Sequence, residues 1–174
     1  VNDCFDTLVD DVLISGKSIH GQFIQKYFGG NTAELDRLID QQLQNVPAAG
    51  QYQAGEKRGK LPYYPPGTVV TVSVRGKEFY LVALTHFSGN VVQPDLKMYY
   101  LAVLALLEHL NQRASGRTVY MPFLGAGLAR LGRDKDTELN HLLCILKMSS
   151  VNITGDIHIV LHSSMRDKIH LSRF

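Results

Sequence analysis

Cysteine is scarce in this chain, and dense cationic clusters and long apolar runs are missing. Cys4 and Cys144 are the two cysteines among 174 residues, so the sequence offers neither a disulfide framework nor a cysteine-rich zinc site, and we expect a reducing compartment. The net charge is only +2 and Lys and Arg do not cluster, which argues against a nucleic-acid partner. The cationic run from Glu56 to Lys60 is predicted to be a solvated loop. The chain shows no signal peptide and no apolar run of membrane-spanning length.

Histidine occurs seven times, scattered along the chain. His158 and His162 have the i, i+4 spacing with which two ligands bind a metal on a helix, but their surroundings predict a strand. We therefore expect no metal.

The pattern of apolar residues predicts helices alternating with strands in one domain. A hydrophobic content of 45% and a charged content of 20% describe a globular chain with room for a real core. Ser18 and a capping box from Asn31 to Glu34 are predicted to begin the first two helices. The predicted helices cover 18–28, 31–46, 94–113 and 134–149, the strands 68–74, 78–87, 117–121 and 156–161, and a long loop 48–66. Such alternation is typical of an α/β layered domain with a mixed sheet.

A glycine-containing loop between a strand and a helix is the most informative motif. Residues 118–121 predict a buried strand, Pro122 starts the loop, and Gly125 and Gly127 stand one residue apart. Two such glycines let backbone N–H groups turn the same way and let a ligand approach without meeting a Cβ atom. Phosphates bind well where such a loop opens toward a helix N-terminus. The alternative is a tight strand-to-helix turn without a ligand.

A second loop, from Ile14 to Gln22, also leads into a helix. Its free N–H groups and the positive end of the helix dipole suit an anion, so two such loops would hold a pyrophosphate from both sides. Lys17 is either a phosphate counter-charge or a solvated lysine, and His20 is either a ligand contact or a surface histidine. A Rossmann site is excluded because the glycine spacing differs, and a Walker P-loop because Asp11 stands where its first glycine belongs.

These motifs, in this order, resemble the macro-domain family. The loop from Gly16 to Gly21 resembles the family's Gly-Gly-Gly-Val loop, and Gly67–Thr71 resembles the opening of its central hairpin. Val1 and Asn2 resemble the strand end that leads into its Val-Asn-Ala-x-Asn motif. The residues that match its Pro-x-Leu-Gly-x-Gly loop are Pro122, Leu124, Gly125 and Gly127. The resemblance covers nearly the whole chain and implies a single domain over 1–174 with a three-layer α/β/α fold and a central mixed sheet.

Within the family, residues 2–7, 9–11 and 18–23 are most similar to the macro domains of membrane-anchored effectors in Thoeris-type antiphage systems. That resemblance implies a cytoplasmic domain that senses an ADP-ribose-type signal, histidine-ADP-ribose in one subtype, made by a partner TIR-domain enzyme. It also implies homo-oligomers and an anchor in the bacterial inner membrane outside this chain. We accordingly expect a fragment that lacks an upstream strand and an N-terminal membrane region.

The chain departs from macro-domain hydrolases at positions that matter for catalysis. Phe5 replaces a second Asn that helps to orient the distal ribose, and Lys17 and Ser18 replace two of the three loop glycines. The resemblance therefore implies binding without catalysis, with Phe5 stacking on a ligand ring. Asp3 and Asp6 would accept hydrogen bonds from ribose hydroxyls or an amino group, or else cap the loop through Asx-turns. We assign no catalytic residue, cofactor or metal. The predicted ligand-binding residues are Asn2, Asp3, Phe5, Asp6, Gly16, Lys17, Ser18, Ile19, His20, Gly21, Phe123, Leu124, Gly125, Ala126, Gly127, Leu128, Ala129 and Arg130.

Three functions stay open at this point. The preferred one is a sensor that binds an ADP-ribose-type nucleotide and changes the state of an attached effector. The second is an ADP-ribosyl hydrolase, in which Asn2 orients the ribose and a water held by the Gly125–Gly127 loop attacks. The third is a scaffold domain with an empty cleft.

Overall fold

The structure is a computed structural model, and it describes residues 1–89, 91–93, 95–125, 134–151 and 153–170. The chain divides into two compact units, Val1–Gln93 and Pro94–Phe174. The single domain expected from the sequence stays a prediction.

Two helices of the first unit begin close to where the sequence predicts. Helix α1 spans Ile19–Phe28 and helix α2 spans Thr32–Leu43. Ser18 caps α1, because its hydroxyl accepts a hydrogen bond of 2.9 Å from the Gly21 amide. Gly29 ends α1 in the left-handed conformation, with φ of 58°. The capping box predicted for α2 is wrong, since the Asn31 side chain makes no capping hydrogen bond.

The strands of the first unit pair as antiparallel hairpins. Strands β1 and β2 are Gly50–Gln51 and Pro62–Tyr63, β3 and β4 are Val69–Val74 and Lys77–Val82, and β5 and β6 are His86–Ser88 and Val91–Gln93. Arg75 and Gly76 both have positive φ, as the two-residue turn between β3 and β4 requires. The strand predicted over 78–87 is thus split in two, and the predicted loop over 48–66 contains the short β1–β2 hairpin.

The first residues of the chain run parallel to the segment between β4 and β5. The Asp3 amide donates to the Thr85 carbonyl at 2.8 Å, and the Leu84 amide donates to the Val1 carbonyl at 2.9 Å. Asn2 forms a parallel bridge with Thr85. Backbone pairing therefore fixes the start of the Asn2–Thr7 segment in addition to the contacts of its side chains.

The core of the first unit joins the two helices, the β3–β4 hairpin and the first fourteen residues. Its central members are fully buried and belong to one hydrophobic cluster. They include Leu35, Ile39, Val70 and Val72. Aromatic rings extend the cluster, since Phe23 and Tyr27 of α1 pack against Phe79 of β4 with centroid distances of 4.8 and 4.6 Å.

The second unit is built around a parallel strand pair. Helix α3 spans Leu96–Arg113, strand β7 Val119–Pro122, helix α4 Lys135–Met148 and strand β8 Ile157–Val160, and a 3₁₀ helix follows at Ser163–Lys168. Asp95 and Asp134 cap α3 and α4 by accepting hydrogen bonds from backbone amides. Because β7 and β8 are parallel and α4 lies between them in sequence, this is a β–α–β unit.

The predicted α/β class is confirmed, with strand pairing of both senses. Within the described part of the chain, no helix combines the length and apolar character that crossing a bilayer requires.

Replacing Leu35 with Ala tests the core of the first unit. Leu35 is fully buried in α2, so truncation should lower the free energy of unfolding by about 2–5 kcal/mol. Leu8, which is 47% exposed in the same unit, is the control, and Leu8→Ala should change stability by about 0.5 kcal/mol or less. Urea unfolding of both variants gives the comparison. Equal losses would contradict the described packing.

Candidate functional site

The Asn2–Thr7 segment, which follows the first residue of the chain, is buried throughout. The Asn2 side-chain oxygen accepts hydrogen bonds from the amides of Cys4 at 3.1 Å and Asp6 at 3.2 Å. Phe5 lies between them with φ of 51°, in the left-handed region that non-glycine residues rarely adopt. The side-chain oxygen of Asn2 therefore holds the segment in a tight turn.

The Asp6 carboxylate has two polar partners from the loop of the β1–β2 hairpin. Its Oδ2 lies 3.0 Å from Lys57 Nζ, and its Oδ1 accepts a hydrogen bond of 2.7 Å from the Lys60 amide. The Lys57 side chain has no exposed surface. Its Nζ also donates to the Arg58 carbonyl at 2.7 Å. This residue was predicted to belong to a solvated loop, and that prediction is wrong for Lys57 because its ammonium group is enclosed with Asp6.

Asp3, in the same segment, pairs with a partly exposed histidine. Its Oδ2 lies 2.6 Å from His86 Nδ1 on β5, and the Tyr52 hydroxyl lies 2.9 Å from the same nitrogen. Burial raises the pKa of Asp3, while its hydrogen bond to His86 opposes that shift. Burial also raises the pKa of the Cys4 thiol to about 12. Cys4 is therefore a neutral thiol near pH 7 and a poor nucleophile.

Three residues predicted to contact the ligand point into the protein. Asp3, Phe5 and Asp6 are each 1% exposed. Phe5 packs edge-on against Tyr64, with a centroid distance of 6.0 Å, so its ring is not available for stacking on a ligand in this conformation. Asp3 and Asp6 are engaged by His86 and by Lys57, and the loop-capping role that we offered as their alternative is filled by Asn2 instead.

The Gly16–Gly21 loop has a different character, because part of it faces solvent. Lys17 is exposed and Ile19 is 64% exposed. The amides of Ile19 and His20, at the start of α1, have no hydrogen-bond acceptor among the described residues. Two donors at the positive end of a helix dipole are suited to an anion. The Gly16 amide is not available in the same way, since it donates to Asp11 at 2.9 Å.

Gly21 is needed where α1 meets its preceding loop. A Cβ atom at this position would lie 2.2 Å from the Ser15 carbonyl oxygen, which is backbone and not able to move aside cheaply. The sequence assigned Gly21 to the ligand, and the structure gives it a packing role that sets the direction of the helix start.

His20 carries a polar atom without a partner. Its Nε2 is buried and makes no hydrogen bond within the described part of the chain. Burial lowers the pKa of this imidazole to about 3, so it is neutral near pH 7. A buried nitrogen that lacks a partner costs free energy, and such an atom in a predicted ligand loop is typical of functional positions.

The loop that Pro122 starts belongs to the second unit, and the structure describes it as far as Gly125. The Phe123 amide donates to the Val160 carbonyl at 3.1 Å, and the Tyr99 hydroxyl donates to the Leu124 carbonyl at 3.3 Å. Gly125 has φ of 85°, which favours glycine at this turn. Ala126, Gly127, Leu128, Ala129 and Arg130 lie outside the described residues. The phosphate-binding role of this loop stays a prediction.

Sequence reasoning missed Tyr52, Lys57 and His86, the residues that hold the motif segment from outside it. A signal was present, because residues 1–11 contain four aspartates and no cation. Buried carboxylates require a partner, so the cationic run that follows the β1 strand was a candidate source. Among the described residues, no group of three or more His, Cys, Asp or Glu side chains is arranged to hold a metal ion.

Comparison with known proteins agrees with this arrangement of motifs. A family model described as "Thoeris protein ThsA, Macro domain" matches residues 1–162. The chain belongs to the ThsA macro-domain family. The ThsA-type resemblance inferred from the sequence is thereby confirmed. A relative, Thoeris protein ThsA of Bacillus amyloliquefaciens (strain Y2), is 32% identical over 149 residues, which are 83% of this chain and 48% of the relative. The chain thus spans about half the length of the relative that it matches.

The His20 imidazole of this ThsA-type macro domain, with its buried Nε2, should make the stability of the domain depend on pH. Unfolded His20 binds a proton near pH 6.5 and folded His20 near pH 3. Between these values the unfolded state binds more protons, so stability is full above pH 6.5 and is lost as the pH falls. His20→Gln should flatten this dependence between pH 6.5 and 4 by up to about 1.4 kcal/mol per pH unit, measured by urea unfolding.

The control for His20→Gln is the same substitution at an exposed histidine. His158 on β8 is exposed, so His158→Gln should leave the pH dependence of the wild type in place. Parallel stability curves for the wild type and His20→Gln would contradict the buried state of His20.

Proposed function

We propose that this chain is a sensor module that binds an ADP-ribose-type nucleotide, with phosphate oxygens at the start of α1. The proposal is carried by one observation: in a chain of the ThsA macro-domain family, the amides of Ile19 and His20 have no acceptor among the described residues. Lys17 is exposed beside them and supplies a positive charge. Backbone donors, a helix dipole and a cation together favour a pyrophosphate.

The state of the motif segment supports a binding function over hydrolysis. The two carboxylates of the segment are engaged by other side chains, Asp3 by a hydrogen bond to His86 and Asp6 by a buried ion pair with Lys57, and the Cys4 thiol is neutral. A general base has to reach the proton that it abstracts, and a nucleophile needs an adjacent base or a lowered pKa. The motif of this chain resembles that of macro-domain hydrolases, but Phe5 replaces their second Asn. We therefore propose recognition without turnover.

The signal and its consequence follow from the same proposal. Membership of the ThsA family connects the chain with Thoeris antiphage defence. We infer that the ligand is ADP-ribose or a conjugate such as histidine-ADP-ribose, produced by a partner TIR enzyme. In this proposal the domain lies in the cytoplasm and is joined to a membrane-anchored, oligomeric effector. Binding changes the effector only if the ligand prefers one of its two states.

A charge placed at the helix start tests the phosphate position. Ile19 is 64% exposed, so neither Ile19→Glu nor Ile19→Gln disturbs the core. A carboxylate in the first turn stabilises a helix but repels an anion at the same end. Ile19→Glu should weaken binding about tenfold or more, whereas Ile19→Gln should stay close to the wild type. Calorimetric titration with ADP-ribose and with histidine-ADP-ribose measures both.

Each result of that titration has a distinct meaning. Equal affinity of the Glu and Gln variants would place the phosphates elsewhere. Release of a cleaved product in the recovered mixture would favour the hydrolase. If neither nucleotide binds the wild type, the sensor function is contradicted and the family membership describes the fold alone.

A further inference from the structure

We propose that Lys57 is a positioning residue for the nucleotide site: its buried ion pair with Asp6 holds the Asn2–Thr7 segment, and the acidic loop of residues 8–16, in the conformation that binds. This inference rests on the proposed function, since it concerns the same site. Lys57 itself does not contact the ligand in this account.

The loop between β1 and β2 contacts both oxygens of the Asp6 carboxylate. Lys57 Nζ lies 3.0 Å from Oδ2, and the Lys60 amide lies 2.7 Å from Oδ1. Between them, Gly59 has φ of 80°, and a Cβ atom there would lie 2.3 Å from Asp6 Oδ1. The Asp6 carboxylate therefore has a cation and a backbone donor as partners, and the absence of a side chain at Gly59 leaves room for it. This arrangement is more specific than a chance surface contact.

The buried ammonium group of Lys57 has two hydrogen-bond acceptors and lies near two aromatic rings. It donates to Asp6 and to the Arg58 carbonyl, and it lies 5.6 Å from the ring centroid of Tyr52 and 5.2 Å from that of Phe87. Burying two charges is costly, and an apolar pair of similar volume often gives equal stability. An ion pair in this place is therefore better explained by the geometry that it imposes than by the stability that it adds.

Contacts from the same hairpin loop continue toward the start of α1. Arg58 pairs with Asp10 at 3.2 Å, and Asp10 Oδ1 accepts hydrogen bonds from the amides of Val12 and Leu13. A Cβ atom on Gly59 would also lie 2.7 Å from Leu13 Cδ1, so the hairpin loop and the acidic loop are in close contact.

Contacts within the acidic loop extend this chain of interactions to the Gly16–Gly21 loop. Val9 and Ile14 form a bridge, and Asp11, with φ of 58°, accepts a hydrogen bond from the Gly16 amide. Asp6, Asp10 and Asp11 thus link the hairpin loop to the residues just before the α1 donors. Loss of the charge on Lys57 should weaken the contact between Asp6 and the hairpin loop, and thereby displace the backbone amides of Ile19 and His20.

The test separates positioning from stability by comparing single and double variants. Lys57→Met leaves a buried carboxylate without its cation, whereas Asp6→Leu with Lys57→Met removes both charges. We expect the double variant to regain most of the thermal stability lost in Lys57→Met but to bind ADP-ribose or histidine-ADP-ribose at least about tenfold more weakly than the wild type. Lys57→Arg, which keeps the charge, should recover part of the affinity. Lys77→Met, at an exposed position, is the matched control and should bind like the wild type.

A second readout does not depend on the nucleotide. The amides of Cys4 and Asp6 donate to Asn2, so their hydrogen exchange reports the conformation of the segment directly. We expect faster exchange at both amides in Lys57→Met, and at the Cys4 amide in the double variant, than in Lys77→Met.

The outcomes are distinguishable. A double variant with recovered stability and wild-type affinity would overturn the positioning role. If the wild type binds neither nucleotide, the proposed function fails, and the exchange rates then decide whether Lys57 positions the segment. Unchanged exchange at Cys4 and Asp6 would overturn the inference in that case as well.

Discussion

The Asp6 carboxylate, buried against Lys57, is the constraint on which the first unit depends. It connects the motif segment at the beginning of the chain to a hairpin loop 51 residues away in sequence. A charged pair without exposed surface has few alternative arrangements, because moving either partner leaves a buried charge unpaired. The turn around Asn2 ends at this anchor, and the acidic loop lies between the anchor and the start of α1. The ion pair between Asp6 and Lys57, which are far apart in sequence, therefore fixes the loop that follows Asp6.

The two loops of the first unit have separate roles. The Asn2–Thr7 segment turns its polar side chains inward, where Asn2 binds backbone amides and Asp3 and Asp6 bind His86 and Lys57. The Gly16–Gly21 loop leaves backbone donors at a helix start without an acceptor among the described residues. Catalysis by side chains would need the first loop to be accessible, whereas recognition of an anion needs only the second. This division is the physical reason for preferring a sensor to a hydrolase.

Local features of the site could be predicted from the sequence, and non-local ones could not. The Ser18 cap and the left-handed Gly29 follow from residue types at fixed spacing. The burial of Lys57 does not, since its neighbours Glu56, Arg58 and Lys60 are typical of a solvated loop. Its partner lies far along the chain, and no periodicity links the two. Phe5 was likewise assigned to a ligand because the family motif identifies a position but not the direction of a side chain.

The central claim is that the phosphates of the nucleotide bind at the start of α1. Amide chemical-shift mapping of the ¹⁵N-labelled chain during titration with histidine-ADP-ribose and ADP-ribose tests that claim most directly. We expect the largest changes at the amides of Ile19 and His20 and small ones at Lys77. Changes confined to other surfaces, or none at saturating nucleotide, would contradict the account.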